Sequence, residues 1–155
     1  MVHFASATLR FDGACKSNPG EGGAGYVVFD NRNGNNILEG QYYIGYDCTN
    51  NVAEYAGLIT ALKELRNSPH SISHLDIEGD SQLVINQMNG IYNVSGKLHH
   101  LHLKATELVS KCRGHKVNTY TFRYIPREEN FEADKLANSA IREKRDSAVD
   151  YYRNW

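Results

Sequence analysis

Cysteine and proline are scarce in this chain of 155 residues, with three of each. The cysteines (Cys15, Cys48, Cys112) form no CxxC pair and are odd in number. That excludes a disulfide scaffold, argues against a thiolate zinc site and points to a reducing, intracellular compartment. An excess of charge of one sign is also lacking: 17 Lys and Arg stand against 18 Asp and Glu, a formal net charge of −1. No global basic field draws in a polyanion, so any nucleic-acid contact must come from a local, salt-sensitive patch. No run approaches the roughly twenty apolar residues of a membrane span. The opening "MVHFASATLRFDG" has neither the basic segment nor the apolar core of a secretory signal. Internal repeats and low-complexity stretches are missing too. What is present is globular: 41% hydrophobic and 23% charged residues, in a length that suits one domain over 1–155.

Periodicity orders the elements. "HFASATLRF" alternates and predicts a strand ending near Asp12. A loop with Gly13, Gly20, Gly22, Gly23 and Gly25 follows, then a strand at "GYVVFD", turn chemistry at "NRNGNN" and a third strand at "ILEGQYYIGY". From Asn51 the period changes: Val52, Tyr55, Ala56, Ile59, Leu62 and Leu65 mark one helix face, ended at "NSPH". "SHLDIEGD" predicts a buried strand, "SQLVINQMNG" a short helix and "GKLHHLHLKATELVSKCRG" a longer one. "VNTYTFRYIP" predicts a fifth strand, and "NFEADKLANSAIREK" a last helix with Asn130 as N-cap and a stripe through Phe131, Leu136 and Ala140. The order β-β-β-α-β-α-α-β-α implies a meander followed by βα units: an α/β fold on a mixed sheet.

Four carboxylates sit at element ends. Asp12 and Asp80 close the first and fourth strands, and Glu54 and Asp134 open helices. Each has an ordinary explanation: Asp12 as a turn residue, Asp80 as an N-cap, Glu54 and Asp134 as acids suited to a helix dipole. Gathered at one rim they would repel one another, unless protonated or bridged by a divalent cation. Hard oxygen ligands suit Mg²⁺ or Mn²⁺, not zinc. Two such ions can clamp the attacking and leaving oxygens of a phosphodiester. "GEGGAG" is not a P-loop, because the Lys-Ser/Thr pair and the following helix are missing.

"DGACKSNPGEGGAGYVV", "TNNVAEYAGLITAL", "IEGDSQLVINQMNG" and "YIPREENFEADKLAN" occur in this order and together resemble ribonuclease H of type 1 over nearly the whole chain. The resemblance implies a ribonuclease H-like fold: a five-stranded mixed sheet with helices on both faces. It implies hydrolysis of the RNA strand of an RNA–DNA hybrid with two Mg²⁺ ions, Mn²⁺ substituting, by a monomer with no membrane partner. Asp12, Glu54, Asp80 and Asp134 are then the catalytic, metal-binding carboxylates, with Asp12 bridging both ions. Asn18, Asn50, Gln82 and the backbone of Gly13, Ala14 and Cys15 test the minor groove for the 2′-hydroxyl. Asn51 lies on the DNA side and Thr49 grips a DNA phosphate.

The chain departs from the family in three places. The phosphate pocket pairs its threonine with an arginine two residues earlier, where Asp47 stands here. The lysine- and tryptophan-rich handle between the middle helices is missing from "NGIYNVSGKLHHLH". Lys97, Lys104 and Lys111, spaced by two helical turns, form a solvated stripe rather than a substitute. The glycine-histidine loop before the last helix is replaced by "PREEN", where Glu128 or Glu129 is the candidate for a mobile role near the metals. His99 and His100 point about 100° apart on a helix, so packing or solvent suits these and His102 better than a metal. The tail from Arg142 either approaches nucleic acid through Arg142, Lys144, Arg145 and Arg153 or packs Tyr151, Tyr152 and Trp155 on the sheet. Two rival functions remain at this point: a non-catalytic hybrid-binding module, and a DNA nuclease of the resolvase or integrase type.

Overall fold

The computed structural model describes residues 2–144, so Arg145, Tyr151, Tyr152, Arg153 and Trp155 lie outside the described residues. The chain runs β1 (Val2–Cys15), β2 (Gly20–Asp30), β3 (Asn36–Cys48), α1 (Asn50–Asn67), β4 (His70–Gly79), α2 (Gln82–Met88), α3 (Leu98–Cys112), β5 (Val117–Tyr124), a 3₁₀ turn (Arg127–Asn130) and α4 (Phe131–Glu143). The strand order is β3-β2-β1-β4-β5. β1 pairs antiparallel with β2 and parallel with β4, and β4 pairs parallel with β5. This is the mixed five-stranded sheet that the element order predicts.

The core lies between the sheet and α1 with α3. Leu9 and Phe11 of β1, Leu58, Ile59 and Leu62 of α1, Leu75 and Ile77 of β4, and Leu108 of α3 are buried together. Each such side chain contributes about 1.5–3 kcal/mol by leaving water. α1 is buried more fully than a single stripe predicts: from Ala53 to Leu62 every residue except Glu54 is buried. The helix is sandwiched, touching β1, β2 and β3 on one side and α3 on the other.

α4 packs on the opposite face, and here the glycine-rich stretch differs from its sequence reading. Gly20, Gly22, Gly23 and Gly25 are not loop but β2, and β1 continues through Asp12 to Cys15. Their function is clearance. A Cβ on Gly23 would run into the Ala137 carbonyl, and one on Gly25 would run into the Ala133 carbonyl. The face that α4 presents is therefore small: Ala133, Ala137 and Ala140 are buried, whereas Phe131, expected in the stripe, is 63% exposed.

Helix starts differ in detail as well. Thr49 caps α1, its hydroxyl accepting from the Val52 amide at 3.3 Å. Ser81, not Asp80, caps α2, accepting from the Val84 amide at 3.2 Å. Asn130 caps nothing with its side chain. Its Nδ2 instead donates 2.8 Å to the Phe11 carbonyl, in a fully buried position.

Candidate active site

Parallel pairing of β1 with β4 reaches Phe11 opposite Gly79. The next residue of β1 is Asp12, and the next of the β4 chain is Asp80, so both carboxylates leave the sheet at one edge. α1 brings the third. A Cβ on Gly57 would stand 2.6 Å from the Asp12 carbonyl oxygen, and one on Gly13 would overlap the Ala53 carbonyl. Glycine at both positions lets the first turns of α1 touch β1 and places Glu54 beside Asp12. The ligand oxygens of Asp12, Glu54 and Asp80 lie within 4.8 Å of one another. Asp134, from the first turn of α4, lines the same cleft, and Asn138 Nδ2 donates to its Oδ1 at 3.2 Å.

The cost of this crowding is visible in the acids. Burial, then the charge of Asp80, pushes the Asp12 carboxyl up to about 8, and contact with Asp134 adds to the rise. Burial, then the charges of Asp12 and Asp80, holds the Glu54 carboxyl well above the ordinary glutamate range. The Gly13 amide is the main polar relief, donating at 2.9 Å to Asp12 Oδ1 and at 2.9 Å to Glu54 Oε1. One neutral donor cannot offset three converging charges. An oxygen-only, acidic donor set of this kind fits a hard divalent cation.

The acids line an open cleft of about 370 Å³ with Gly13, Ala14, Cys15 and Asn50. Asn18 stands outside it but holds it, its Oδ1 accepting from the Asn50 amide at 3.1 Å. Thr49, Asn51 and Gln82 are also outside the cleft lining, at the starts of α1 and α2. Two lining residues escaped the sequence reading, Arg127 and Asn138. Asn138 donates 3.2 Å to Asp134 Oδ1, a pairing that the four-residue helical spacing could have suggested. Arg127 lies inside "PREEN", where the two glutamates drew attention first.

The remaining sequence candidates are dispersed. Glu128 and Glu129 are exposed on the 3₁₀ turn. Asp47 is exposed with φ 60°, leaving the phosphate-pocket position acidic. His102 packs edge-on against Tyr55 and approaches the Gln87 carbonyl at 3.2 Å, while His99 and His100 are exposed. Lys97 and Lys111 are exposed on α3 or at its start, and Lys111 pairs with Glu107 at 2.7 Å, as a solvated stripe would.

Residues 10–140 match the family described as reverse transcriptase-like. Ribonuclease HI of Halobacterium salinarum is 34% identical over 132 residues, covering 84% of this chain and 62% of that protein. A bifunctional protein of Mycobacterium tuberculosis is 36% identical over 134 residues, covering 86% of this chain and 35% of that one. The chain thus spans about three fifths and about one third of these two relatives. The crystal structure of the Halobacterium salinarum ribonuclease H1 superposes with a TM-score of 0.78 at 32% identity, covering 90% of this chain and 99% of that one. A ribonuclease H1 isolated from compost, solved in complex with an RNA/DNA hybrid, superposes at 0.79 with 35% identity, covering 89% and 98%. In fold and in sequence over most of its length, the chain belongs to the type 1 ribonuclease H family.

Proposed function

We propose that this chain is an endoribonuclease that hydrolyses the RNA strand of an RNA–DNA hybrid, leaving 5′-phosphate and 3′-hydroxyl ends. The observation that carries the proposal is the convergence of Asp12, Glu54 and Asp80 oxygens within 4.8 Å, with Asp134 lining the same cleft. Its substrate side is supported by the hybrid bound to the compost relative.

Two divalent cations, Mg²⁺ or Mn²⁺, would supply charge to activate the attacking water and to stabilise the departing 3′ oxygen. Asp12, Glu54, Asp80 and Asp134 are the residues that would hold them. Because Ser81 caps α2, neither oxygen of Asp80 is needed as a helix cap. The Gly13 amide fixes the facing oxygens of Asp12 and Glu54 before anything binds. Such preorganisation removes the need to reorient ligands during reaction. The backbone of Gly13–Cys15 and the Asn50 side chain line the approach to the acids, where short polar groups can test for a 2′-hydroxyl. Asn18 orients Asn50, and Gln82 stands at the start of the helix after Asp80. Thr49 is engaged as a cap at 3.3 Å, so its grip on a phosphate shares that hydroxyl.

The test is cleavage of end-labelled RNA–DNA hybrid with Mg²⁺, with Mn²⁺ and with chelator, beside duplex DNA and duplex RNA. Cleavage of the RNA strand only, with either ion and not with chelator, is the expected result. Binding of hybrid without cleavage in either ion leaves a binding module instead. Cleavage of duplex DNA with none of the hybrid makes it a DNA nuclease.

A further inference from the structure

Below the carboxylate cluster lies a second charged group that the proposed reaction does not use. Glu78 is 2% exposed, yet it carries a carboxylate into the sheet face opposite α1. Arg10, its partner across the parallel β1–β4 pair, donates from Nε to Glu78 Oε1 at 2.9 Å. Arg123 of β5 donates to the other oxygen, Glu78 Oε2. Arg10 has a second engagement: its Nη1 donates 3.0 Å to the backbone carbonyl of Glu129, in the 3₁₀ turn that leads into α4. Its guanidinium is further confined over the Phe29 ring, 5.2 Å from the centroid. The next residue of the turn, Asn130, is bonded to the next residue of β1, Phe11.

The register gives this geometry its meaning. Arg10 is two residues before Asp12, Glu78 is two before Asp80, and Glu129 is five before Asp134. One guanidinium, carried on β1, therefore ties that strand to the Glu78 side chain of β4 and to the Glu129 backbone, linking the three segments that carry three of the four acids. We propose that Arg10, oriented by Glu78, is a positioning residue of the metal site: it fixes the spacing of Asp12, Asp80 and Asp134. The planar fork suits this, since Nε and Nη1 are held rigidly at a set angle and reach two acceptors at once. Two neighbouring observations explain why such a device is placed here. Asp134 stands outside the three oxygens that meet within 4.8 Å. The α4 face that touches the sheet is mostly small, Ala133, Ala137 and Ala140 with Ile141 against Gly23 and Gly25, which fixes the closeness of the helix more than its position along the strand.

This inference rests on the metal-dependent reading above, and its test separates the two. Mg²⁺ affinity is read on the full chain by isothermal titration calorimetry, as the half-point, the free Mg²⁺ concentration at half-saturation of the site. Hybrid kcat and KM are measured at limiting and saturating Mg²⁺. Arg10→Gln and, separately, Glu78→Gln raise the Mg²⁺ half-point about tenfold, as loss of a group that holds metal ligands in place does. They lower kcat at limiting Mg²⁺, leave KM for hybrid unchanged and recover kcat at saturating Mg²⁺. Arg10→Lys, which keeps the charge but not the fork, restores the half-point only in part. Arg123→Gln is the control, because it removes an equal charge from Glu78 without releasing the turn, and its half-point stays at the wild-type value. A lowered melting temperature in Arg10→Gln with an unchanged half-point overturns the proposal. So does an Arg123→Gln shift as large as that of Arg10→Gln. If Glu78→Gln fails to fold, Arg10→Gln and Arg10→Lys decide. A wild-type chain with no Mg²⁺ response and no cleavage overturns the functional reading itself, and this inference with it.

Discussion

Asp12 and Glu54, 42 positions apart in the chain, share one hydrogen-bond donor: the Gly13 amide stands 2.9 Å from an oxygen of each. The shared donor holds two carboxylates face to face without neutralising either. Asp12→Asn keeps an oxygen for that amide and nearly the same volume, but removes the charge that would hold two cations. The fold and hybrid binding are expected to survive, with cleavage in Mg²⁺ down by at least about a hundredfold, the scale of losing a main electrostatic group. A tenth of the wild-type rate remaining would count against Asp12 as the bridging ligand.

The same crowding sets a pH dependence for the metal-free chain. The Asp12 carboxyl, raised to about 8 chiefly by burial, prefers its proton more in the folded state than in the unfolded one. Its contribution to stability is fully present below its ordinary value of 3.8 and is lost as pH rises through about 8. In chelator, Asp12→Asn is expected to melt above wild type at pH 8 by about 5 °C, with the gap closing towards pH 4. Differential scanning calorimetry across that range checks it, and a gap that does not change with pH would falsify the account.

Divalent ions reverse that penalty. Mg²⁺ at about 100 times its dissociation constant adds about 2.7 kcal/mol to stability by mass action. The rise in melting temperature on adding Mg²⁺ should be larger at pH 8 than at pH 6, where protons compete for the same oxygens. In Glu54→Gln the rise should shrink markedly. Thermal melts at matched ionic strength, with NaCl replacing MgCl₂ in the blank, separate site binding from screening.

Gly25 is a second sensitive point. An alanine there would place Cβ 2.6 Å from the Ala137 amide nitrogen and push α4 off β2. A loss of about 2–3 kcal/mol is expected, the usual cost of forcing an extra group into a packed contact. Chemical denaturation gives the loss directly. Because α4 carries Asp134, the Mg²⁺ requirement should rise in parallel.

The exposed pair on the 3₁₀ turn offers a separate test. If Glu128 or Glu129 moves to the acids during turnover, its replacement by Gln slows turnover several-fold with hybrid binding intact. Arg10 already fixes the Glu129 carbonyl at 3.0 Å, so Glu128 has the freer backbone of the two. Single-turnover and steady-state rates on both variants decide it, and unchanged rates in both remove the idea.

The order of elements and the four acids were legible because they leave local marks: alternation, a helical period, and carboxylates where those patterns stop. The glycine run of β2 misled because glycine marks turns more often than sheet, and only the partner helix, more than a hundred residues later, explains Gly23 and Gly25. Ser81 was overlooked beside Asp80 because both residue types cap helices equally well. Phe131 lies off the α4 face that meets the sheet, since periodicity counts large hydrophobic residues and that face is made by Ala133, Ala137 and Ala140 with Ile141. The pairing of Arg10 with Glu78, separated by 68 residues, depends on parallel register, which no local pattern reports.

Parallel register also makes tolerance to insertion very uneven along this chain. Side chains alternate faces along a strand, so one residue added between Arg10 and Asp12 would turn the carboxylate towards α1 and away from Asp134. The exposed connection from Asn89 to Lys97 bears no such constraint. New length can enter there at little cost to closure, and additional binding surface can be grafted on without disturbing a single acid.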